Sequence, residues 1–528
     1  MAESAYGTRP GPPLARPSHV APVRLSSLAQ LIGATLVGED VEVRGVSSGS
    51  DLTEAGDLFA ALAGGSGHGA RFTAAAVAQG AVAVLTDDAG RQILRENGLQ
   101  AIPLLLVETP RAVLGTVAAE IYGHPSRRLP VYGITGTSGK TTTTFLVRAG
   151  LLAAGRSSGL IGTVGVFLGD EVLKTPFTTP EAPQLQALLA VMVERGMSSV
   201  GMEVSSHALR MGRVDAVDFA VGAFTNLSQD HLDFHADMED YFQAKALLFD
   251  GRSRREIVVV DDEWGPRLVG PDTVTVSRHH DAAWRASDIT VAEDGATRFI
   301  VESSVGRFEA GCRIPGEYNV ANTLLALAIL AELGVDVVAV APAVAAAQVR
   351  GRMERVDGDQ PFLAVVDYSH KPAGVQAALE ALRPLTAGRL IIVLGCGGDR
   401  DRGKRPVMGE VAARHADVLI VTDDNPRSED PALIRAEMLA GARAVPRGDS
   451  AVIVEDGNRR SAIWHAVRTA GPGDTVLVAG KGHETGQQVG EAMLPFDDVS
   501  VVREALVAQG FTPTELATAD VARSVNQS

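Results

Sequence analysis

The sequence predicts an α/β protein of three domains. Three observations carry this. Apolar runs such as "LAVVDYS", "RLIIVLGCG", "ADVLIVTDD" and "DTVLVAGKG" each end in polar or Gly-rich residues and lead into a helical segment, the pattern of buried parallel strands. The stretch "VYGITGTSGKTTTTFLV" from Val131 sets a strand, a Gly-rich turn and a helix in the order that a phosphate-binding loop requires. At 528 residues, 45% hydrophobic and 21% charged, with 56 glycines and 26 prolines spread along it, the chain is too long for one core and rich in the turns that join strands to helices.

From Val23 to Gly123, short apolar runs such as "AVAVLTDD" and "IPLLLVET" alternate with Ala-rich helical stretches, giving a small N-terminal α/β domain (23–123). A central α/β domain (124–350), of the P-loop ATPase-like kind, opens with "LPVYGIT" and closes after the apolar helix "NVANTLLALAILAEL". A C-terminal, Rossmann-like α/β domain (351–510) follows "VRGRMERV", and ligands of such sheets bind beyond the carboxyl ends of the strands. The Pro-rich start (1–22) and the polar end (511–528) read as disordered tails.

The net charge of −16 argues against broad nucleic-acid binding, which needs a basic surface, so an anionic ligand requires local cations. Cys312 and Cys396, far apart and without zinc spacing, suggest neither a disulfide framework nor a structural metal, and fit a reducing cytoplasm. No signal peptide and no membrane span is read: the N-terminus lacks an apolar core, and "TLLALAILAELGVDVVAV" is broken by Glu332 and Asp336. Oligomeric state is left open, with a monomer as the default.

In the phosphate loop, Gly136, Thr137, Ser138 and Gly139 offer backbone N–H groups, Lys140 a point charge, Thr141 a hydroxyl for Mg²⁺, and Thr142 continues the helix start. The spacing is compact. Counting back five from Gly139 reaches Ile134, not a glycine. Glu203 in "GMEVSSHAL" stands at a strand end and His231 in "TNLSQDHLDFH" is expected in a similar position on the next strand; carboxylate and imidazole suit a hard divalent ion that bridges nucleotide oxygens. In "DMEDYFQAKALLF", Met238, Tyr241, Lys245 and Leu248 share a stripe at helical spacing, so Lys245 is paired, snorkelling to water, or held as a reactive amine.

Together "GTSGKT", "TTPEAP", "EVSSHAL", "NLSQDHLDFH", "AKALLF", "GEYNVANTLLALA", "GRMERV", "CGGDRDRGKRP", "DNPR" and "GKGHE" resemble the Mur ligases, and among them the diaminopimelate-adding members, over roughly Val23 to Gln509. The resemblance implies an ATP-dependent, ADP-forming amide ligase of peptidoglycan precursor synthesis. ATP phosphorylates the terminal carboxylate of UDP-N-acetylmuramoyl-L-alanyl-D-glutamate, and the amine of diaminopimelate attacks the acyl phosphate. It further implies a UDP-binding N-terminal domain, an ATP-binding central domain and an amino-acid-binding C-terminal domain.

By the same resemblance Lys140, Glu203, His231 and Lys245 are catalytic, Lys245 is carbamylated by CO₂, and Mg²⁺ is met by Thr141, Glu203, His231 and the Lys245 carbamate. Nucleotide contacts extend to Asn322, Arg352 and Asp367. The UDP-muramoyl dipeptide falls to Ser48, Ser50, Thr178, Thr179, Ser205 and Arg213. Diaminopimelate falls to Arg400, Asp424, Asn425, Pro426, Arg427, Gly480 and Glu484, with the arginine of "DNPR" marking diaminopimelate over lysine. The chain departs from the family pattern at Ser138 (Asn in many members), Met211 (Gln), Gly49-Ser50-Asp51 (Asp-Ser-Arg) and "DYSHKP" (usually "DYAHTP"). Two rival readings are a relative with another acceptor, such as lysine or D-Ala-D-Ala, and a nucleotide-binding scaffold without catalysis. Arg427 speaks against the first, and the retained Lys140, Glu203, His231 and Lys245 against the second.

Overall fold

The computed structural model describes residues 15–514 apart from Ser66, Pro176, Asp233, Glu293, Asp294 and 447–450. The described chain falls into two compact units, the first holding residues up to 285 with 324–340, the second 286–323 with 341 onward. Each of the three predicted segments contributes a sheet.

Two sheets lie in the first unit. The N-terminal sheet has the spatial order 35–37, 104–106, 83–86, 57–60, 45–47, parallel except for the first pair. In the other, Ser158–Gly162, Ser199–Glu203, Val131–Thr135, Phe219–Phe224, Ser253–Val259 and Val274–Ser277 run parallel in that order, flanked by the antiparallel hairpin Gly165–Leu168/Glu171–Leu173. Strand Val131–Thr135 is buried at every position, which is why its sequence is an apolar run and not an alternation. The two sheets share a unit because helix Pro110–Ile121 packs on helix Ala182–Glu194: Leu114, Val117, Ala118 and Ile121 join Ala182, Ala187 and Ala190 in one cluster, and small residues on one side let the helices approach. Burying each such Leu or Val stabilises by ~1.5–3 kcal/mol.

The second unit carries a sheet of order 354–355, 363–367, 475–479, 390–394, 418–421, 452–455, parallel except at the first strand. Helices Arg459–Thr469 and Asp498–Ala508 cover one face through Ile463, Ala466, Val502 and Leu506. They are pinned by a fully buried ion pair in which the Arg459 guanidinium makes two bonds to Asp498, at 2.8 and 2.7 Å.

The expected tails are corrected where they are described. Arg16 donates to both carboxylate oxygens of buried Asp57 at 2.7 and 2.9 Å and to the Leu52 carbonyl at 2.7 Å, while the Ser18 and His19 amides bind Glu194 at 2.9 and 3.0 Å. Charge-assisted bonds to a buried carboxylate are enough to order a Pro-rich segment. At the other end, the Thr514 amide donates to Asp357 O at 2.9 Å. Residues 1–14 and 515–528 lie outside the described chain.

Candidate active site

The Gly-rich turn ends strand Val131–Thr135, and helix Lys140–Ala153 starts directly after it. Gly136 has φ +141°, and a Cβ there would lie 1.9 Å from Thr225 Oγ1, so only glycine fits. The loop is clamped by the segment that follows strand Phe219–Phe224. Asn226 accepts from the Ser138 amide at 3.0 Å and donates to its carbonyl at 3.2 Å; Thr225 Oγ1 donates to the same carbonyl at 2.6 Å; the Thr137 amide donates to Asn226 O at 2.9 Å. Thr137 Oγ1 lies 3.2 Å from the Tyr241 hydroxyl. Lys140 Nζ donates to the carbonyls of Gly136 at 2.8 Å and Thr137 at 2.9 Å. Thr141 and Thr142 are buried in the helix's first turn.

Glu203 ends its strand as expected and is 1% exposed. Its carboxylate accepts from Thr141 Oγ1 at 2.9 Å, Thr163 Oγ1 at 3.0 Å and the Thr163 amide at 2.9 Å. A hydroxyl-rich, anionic oxygen set beside a phosphate loop fits a hard divalent cation. His231 differs from the expectation. It sits in the loop after strand Phe219–Phe224, at φ +53°, with a side chain 41% exposed, an ion-pair distance of 3.4 Å to Asp230, and ring contacts to His207 and Tyr241. Thr141 and Glu203 stand assembled through their bond, and among the described residues no three His, Cys, Asp or Glu converge on one point.

Lys245, on helix Met238–Ala246, is 1% exposed: it does not snorkel. Its Nζ donates to Gly136 O at 2.8 Å and lies 4.4 Å from the Tyr241 ring centre. Burial, and then the charge of Lys140, hold its amine well below the ordinary lysine range, against an opposing pull from Asp230.

Beside Glu203, Thr178 Oγ1 is 3.2 Å from Thr163 Oγ1, and Thr179 Oγ1 donates to Glu203 O at 2.8 Å while accepting from the Ser205 amide at 3.2 Å. Arg213 donates to Thr179 O at 3.2 Å, pairs with Glu181 at 2.8 Å and stacks on Phe177 at 4.5 Å. Its Nη2 is 3.6 Å from the sulfur of Met211, the position that departs from the family pattern. Ser48 and Ser50 lie just beyond strand Gly45–Ser47, a loop tied by Ser47 Oγ to Thr53 Oγ1 at 2.9 Å.

The remaining predicted nucleotide residues belong to the second unit. Asn322 is buried and donates to Asn319 Oδ1 at 2.8 Å; Arg352 stacks on Tyr368 at 4.5 Å; Asp367 accepts from the Met353 amide at 2.7 Å and the Ser369 amide at 2.8 Å. His370 is pushed down to about 4 by burial, although its Nδ1 lies 2.8 Å from Tyr368 O; Lys404, Lys371 and Arg352 disfavour its protonation further.

The predicted amino-acid residues converge at the carboxyl ends of the second unit's strands. Lys481, fully buried and missed by sequence reasoning, donates to Asn425 Oδ1 at 2.9 Å and lies 3.1 Å from Glu484 and 3.4 Å from Asp424. Asn425 in turn donates to Glu484 at 2.9 Å. Arg427 adopts φ +52°, its Nη1 donating to Gly398 O at 2.6 Å and its backbone tied to the hairpin Gly486–Val489/Ala492–Pro495 through Gln488 O at 3.1 Å and the Gly490 amide at 2.7 Å. Arg400 follows Asp399, whose carbonyl it reaches at 3.2 Å. Pro426 carries the turn between Asn425 and Arg427, and the Gly480 amide donates to Asp367 O at 3.1 Å. Asn226 and Lys481 had one signal available, since each lies inside a motif already read, "TNLSQDHLDFH" and "GKGHE"; Thr163 had none.

Family models match in three blocks: the Mur ligase catalytic domain at 42–122, the Mur ligase middle domain at 134–330 and the glutamate ligase domain at 351–482. The chain belongs to the Mur ligase family. Members are ATP-dependent ligases that form C–N bonds. This Mur ligase is 52% identical over 506 residues to the UDP-N-acetylmuramoyl-L-alanyl-D-glutamate–2,6-diaminopimelate ligase of Streptomyces avermitilis, covering 94% of this chain and 99% of that one. It is 48% identical to the protein of the same name from Corynebacterium glutamicum, covering 91% and 95%. A solved diaminopimelate ligase of that name superposes with a TM-score of 0.66 at 30% identity, covering 93% of this chain and all of that one. The MurF ligase of Thermotoga maritima, solved with ADP, shares the fold at 20% identity and TM-score 0.57, covering 88% and 98%.

Proposed function

We propose that this Mur ligase joins diaminopimelate to the D-Glu carboxylate of UDP-N-acetylmuramoyl-L-alanyl-D-glutamate, with ATP converted to ADP and phosphate, in the cytoplasm. The observation that carries it is the presence, in one loop cluster, of a guanidinium, Arg427, and a carboxylate, Glu484, the latter tied at 2.9 Å to Asn425 of the Arg427 loop. Diaminopimelate has two ammonium and two carboxylate groups. Arg427 suits its distal carboxylate, with Arg400 adding charge, while Glu484 and Asp424 suit its ammonium. Lysine lacks the distal carboxylate and leaves Arg427 without that partner.

The γ-phosphoryl group passes to a carboxylate oxygen of the dipeptide as ADP leaves; the amine then attacks the acyl carbon, phosphate departs, and the nitrogen loses a proton. The loop amides of Gly136–Thr141 and the Lys140 charge hold the phosphates, and Thr179, Ser205 and Arg213 orient the peptide. Mg²⁺, when bound, neutralises charge that develops on the transferring oxygens. Thr141 and Glu203 would hold it, with His231 and a carbamate on Lys245 as the further ligands. A neutral, buried Lys245 amine is the form that adds to CO₂ with loss of a proton, and burial supports it there. The test is ADP release across a panel of amino acids with the UDP-muramoyl dipeptide, followed by product mass. Diaminopimelate should be strongly preferred; equal turnover with lysine overturns the assignment.

A further inference from the structure

Arg400 and Arg427 sit on separate loops; beyond the bond from Arg427 Nη1 to Gly398 O at 2.6 Å, the side chains that join those loops lie outside the predicted ligand residues. The loop after strand Leu390–Leu394 and the loop after strand Val418–Val421 exchange carboxylates. Glu429, from the second, accepts from the Asp399 amide at 2.6 Å, from Arg402 Nη2 at 2.8 Å and from Arg405 Nη2 at 2.8 Å and Nη1 at 3.2 Å. Asp399, from the first, accepts from Ser428 Oγ at 2.7 Å and the Ser428 amide at 3.1 Å. Gly398 completes the seam: its amide donates to Asn425 O at 2.9 Å, and a Cβ on it would lie 1.9 Å from Pro426 O. The two backbones are in contact.

Both loops hold a non-glycine residue in the left-handed region, Asp399 and Arg427, each at φ +52°. Such conformations cost free energy and persist where surrounding contacts over-determine them. At Asp399 the contacts that do so are the crossed carboxylates, while the Arg427 backbone is held by Gln488 O and the Gly490 amide and is flanked by the carboxylate seam at Ser428 and Glu429. We propose that Glu429 is a positioning residue for amino-acid selection, locking the Arg400 loop to the Arg427 loop so that both guanidiniums are presented together to the distal carboxylate of the incoming amino acid; this rests on the diaminopimelate reading above. Glu429 acts through others. Its bonds go to Asp399, Arg402 and Arg405, and not to any predicted ligand residue. Arg405, fully buried, keeps a second carboxylate, Glu437 at 2.8 Å, and Gly397 O at 3.3 Å, so loss of Glu429 unlocks the loops without stranding a charge.

The experiment uses the full chain with Glu429→Gln, Glu429→Asp and, as a milder cut in the same seam, Ser428→Ala. Steady-state kinetics are measured with diaminopimelate, lysine, ATP and the UDP-dipeptide each varied in turn. Removing the Glu429 charge weakens the bonds it accepts from Asp399, Arg402 and Arg405 and should raise KM for diaminopimelate about tenfold in Glu429→Gln. Smaller increases are expected in Ser428→Ala and Glu429→Asp. KM for ATP and for the dipeptide, and kcat/KM for lysine, should stay within about twofold of wild type, since neither reads the distal carboxylate. A folded Glu429→Gln or Ser428→Ala protein with unchanged KM for the amino acid, or with lysine and diaminopimelate falling in step, overturns the proposal. Should wild type use a different amino acid, the diaminopimelate reading fails by itself, and KM for that amino acid in the same variants still decides the role of Glu429.

Discussion

The side-chain amines of Lys140 and Lys245 donate to the same acceptor, the carbonyl oxygen of Gly136, each at 2.8 Å. Two ammonium groups on one carbonyl repel, and only one of the two lysines is fully buried. Burial first, and then the charge of Lys140, hold Lys245 toward the neutral amine.

Lys245→Ala should therefore lower ligation by about 10²- to 10³-fold, the scale for removing one electrostatic group from a reacting centre. Added short carboxylic acids should restore part of it by standing in for the carbamate. Native mass spectrometry gives a readout free of activity: wild type in bicarbonate buffer should carry the added mass of one CO₂, lost on Lys245→Ala. A fully active wild type that stays unmodified in CO₂-depleted buffer would remove the carbamate.

The Arg16 contact makes a prediction about stability alone. Arg16→Ala leaves the carboxylate of Asp57, 1% exposed, without its two-bonded partner. Removing one member of such a pair should cost ~1–3 kcal/mol in urea unfolding. Asp57→Asn with Arg16→Ala should recover part of the loss, because no unpaired buried charge remains. Unchanged stability in Arg16→Ala would show that the Arg16–Asp57 pair contributes nothing to the fold.

His370 predicts a pH dependence. Its folded-state value, about 4, lies below the ordinary 6.5, so between these pH values the unfolded chain binds more protons than the folded one. The contribution of the neutral ring is complete above 6.5 and is lost as pH falls toward 4. Wild-type Tm should decline through that window, and His370→Asn should flatten the decline. Parallel Tm curves for the two proteins would assign the acid sensitivity elsewhere.

Much of this was legible before any coordinates. Strand-turn-helix order at Val131–Ala153 follows from apolar runs and glycines, and the stripe of Tyr241, Lys245 and Leu248 set Lys245 on an apolar face while leaving snorkelling open, which its burial rules out. Contacts between distant segments were not legible. Asn226 lies 88 residues from Ser138, Arg16 41 from Asp57, and Lys481 56 from Asn425, and no periodicity encodes which loops a parallel sheet brings together at its carboxyl edge. His231 was misplaced for a local reason. The segment after Phe224 continues as loop, turning at His231 itself with φ +53°, so strand pairing does not fix the ring as it fixes Glu203.

Arg427 tests the central claim, that this ligase selects its amino acid by a distal carboxylate. Its guanidinium is partly buried, and burial together with the neighbouring Arg400 charge lowers its affinity for a proton, a setting in which an added carboxylate is strongly favoured. The measurement is kcat/KM for diaminopimelate and for lysine in wild type, Arg427→Ala and Arg427→Lys. Arg427→Ala should lose ~2–4 kcal/mol in transition-state binding for diaminopimelate and much less for lysine, and Arg427→Lys should recover only part, because a point charge does not reproduce the planar fork. An equal fractional loss for the two amino acids in Arg427→Ala would contradict the account and assign Arg427 to the fold or the chemistry instead.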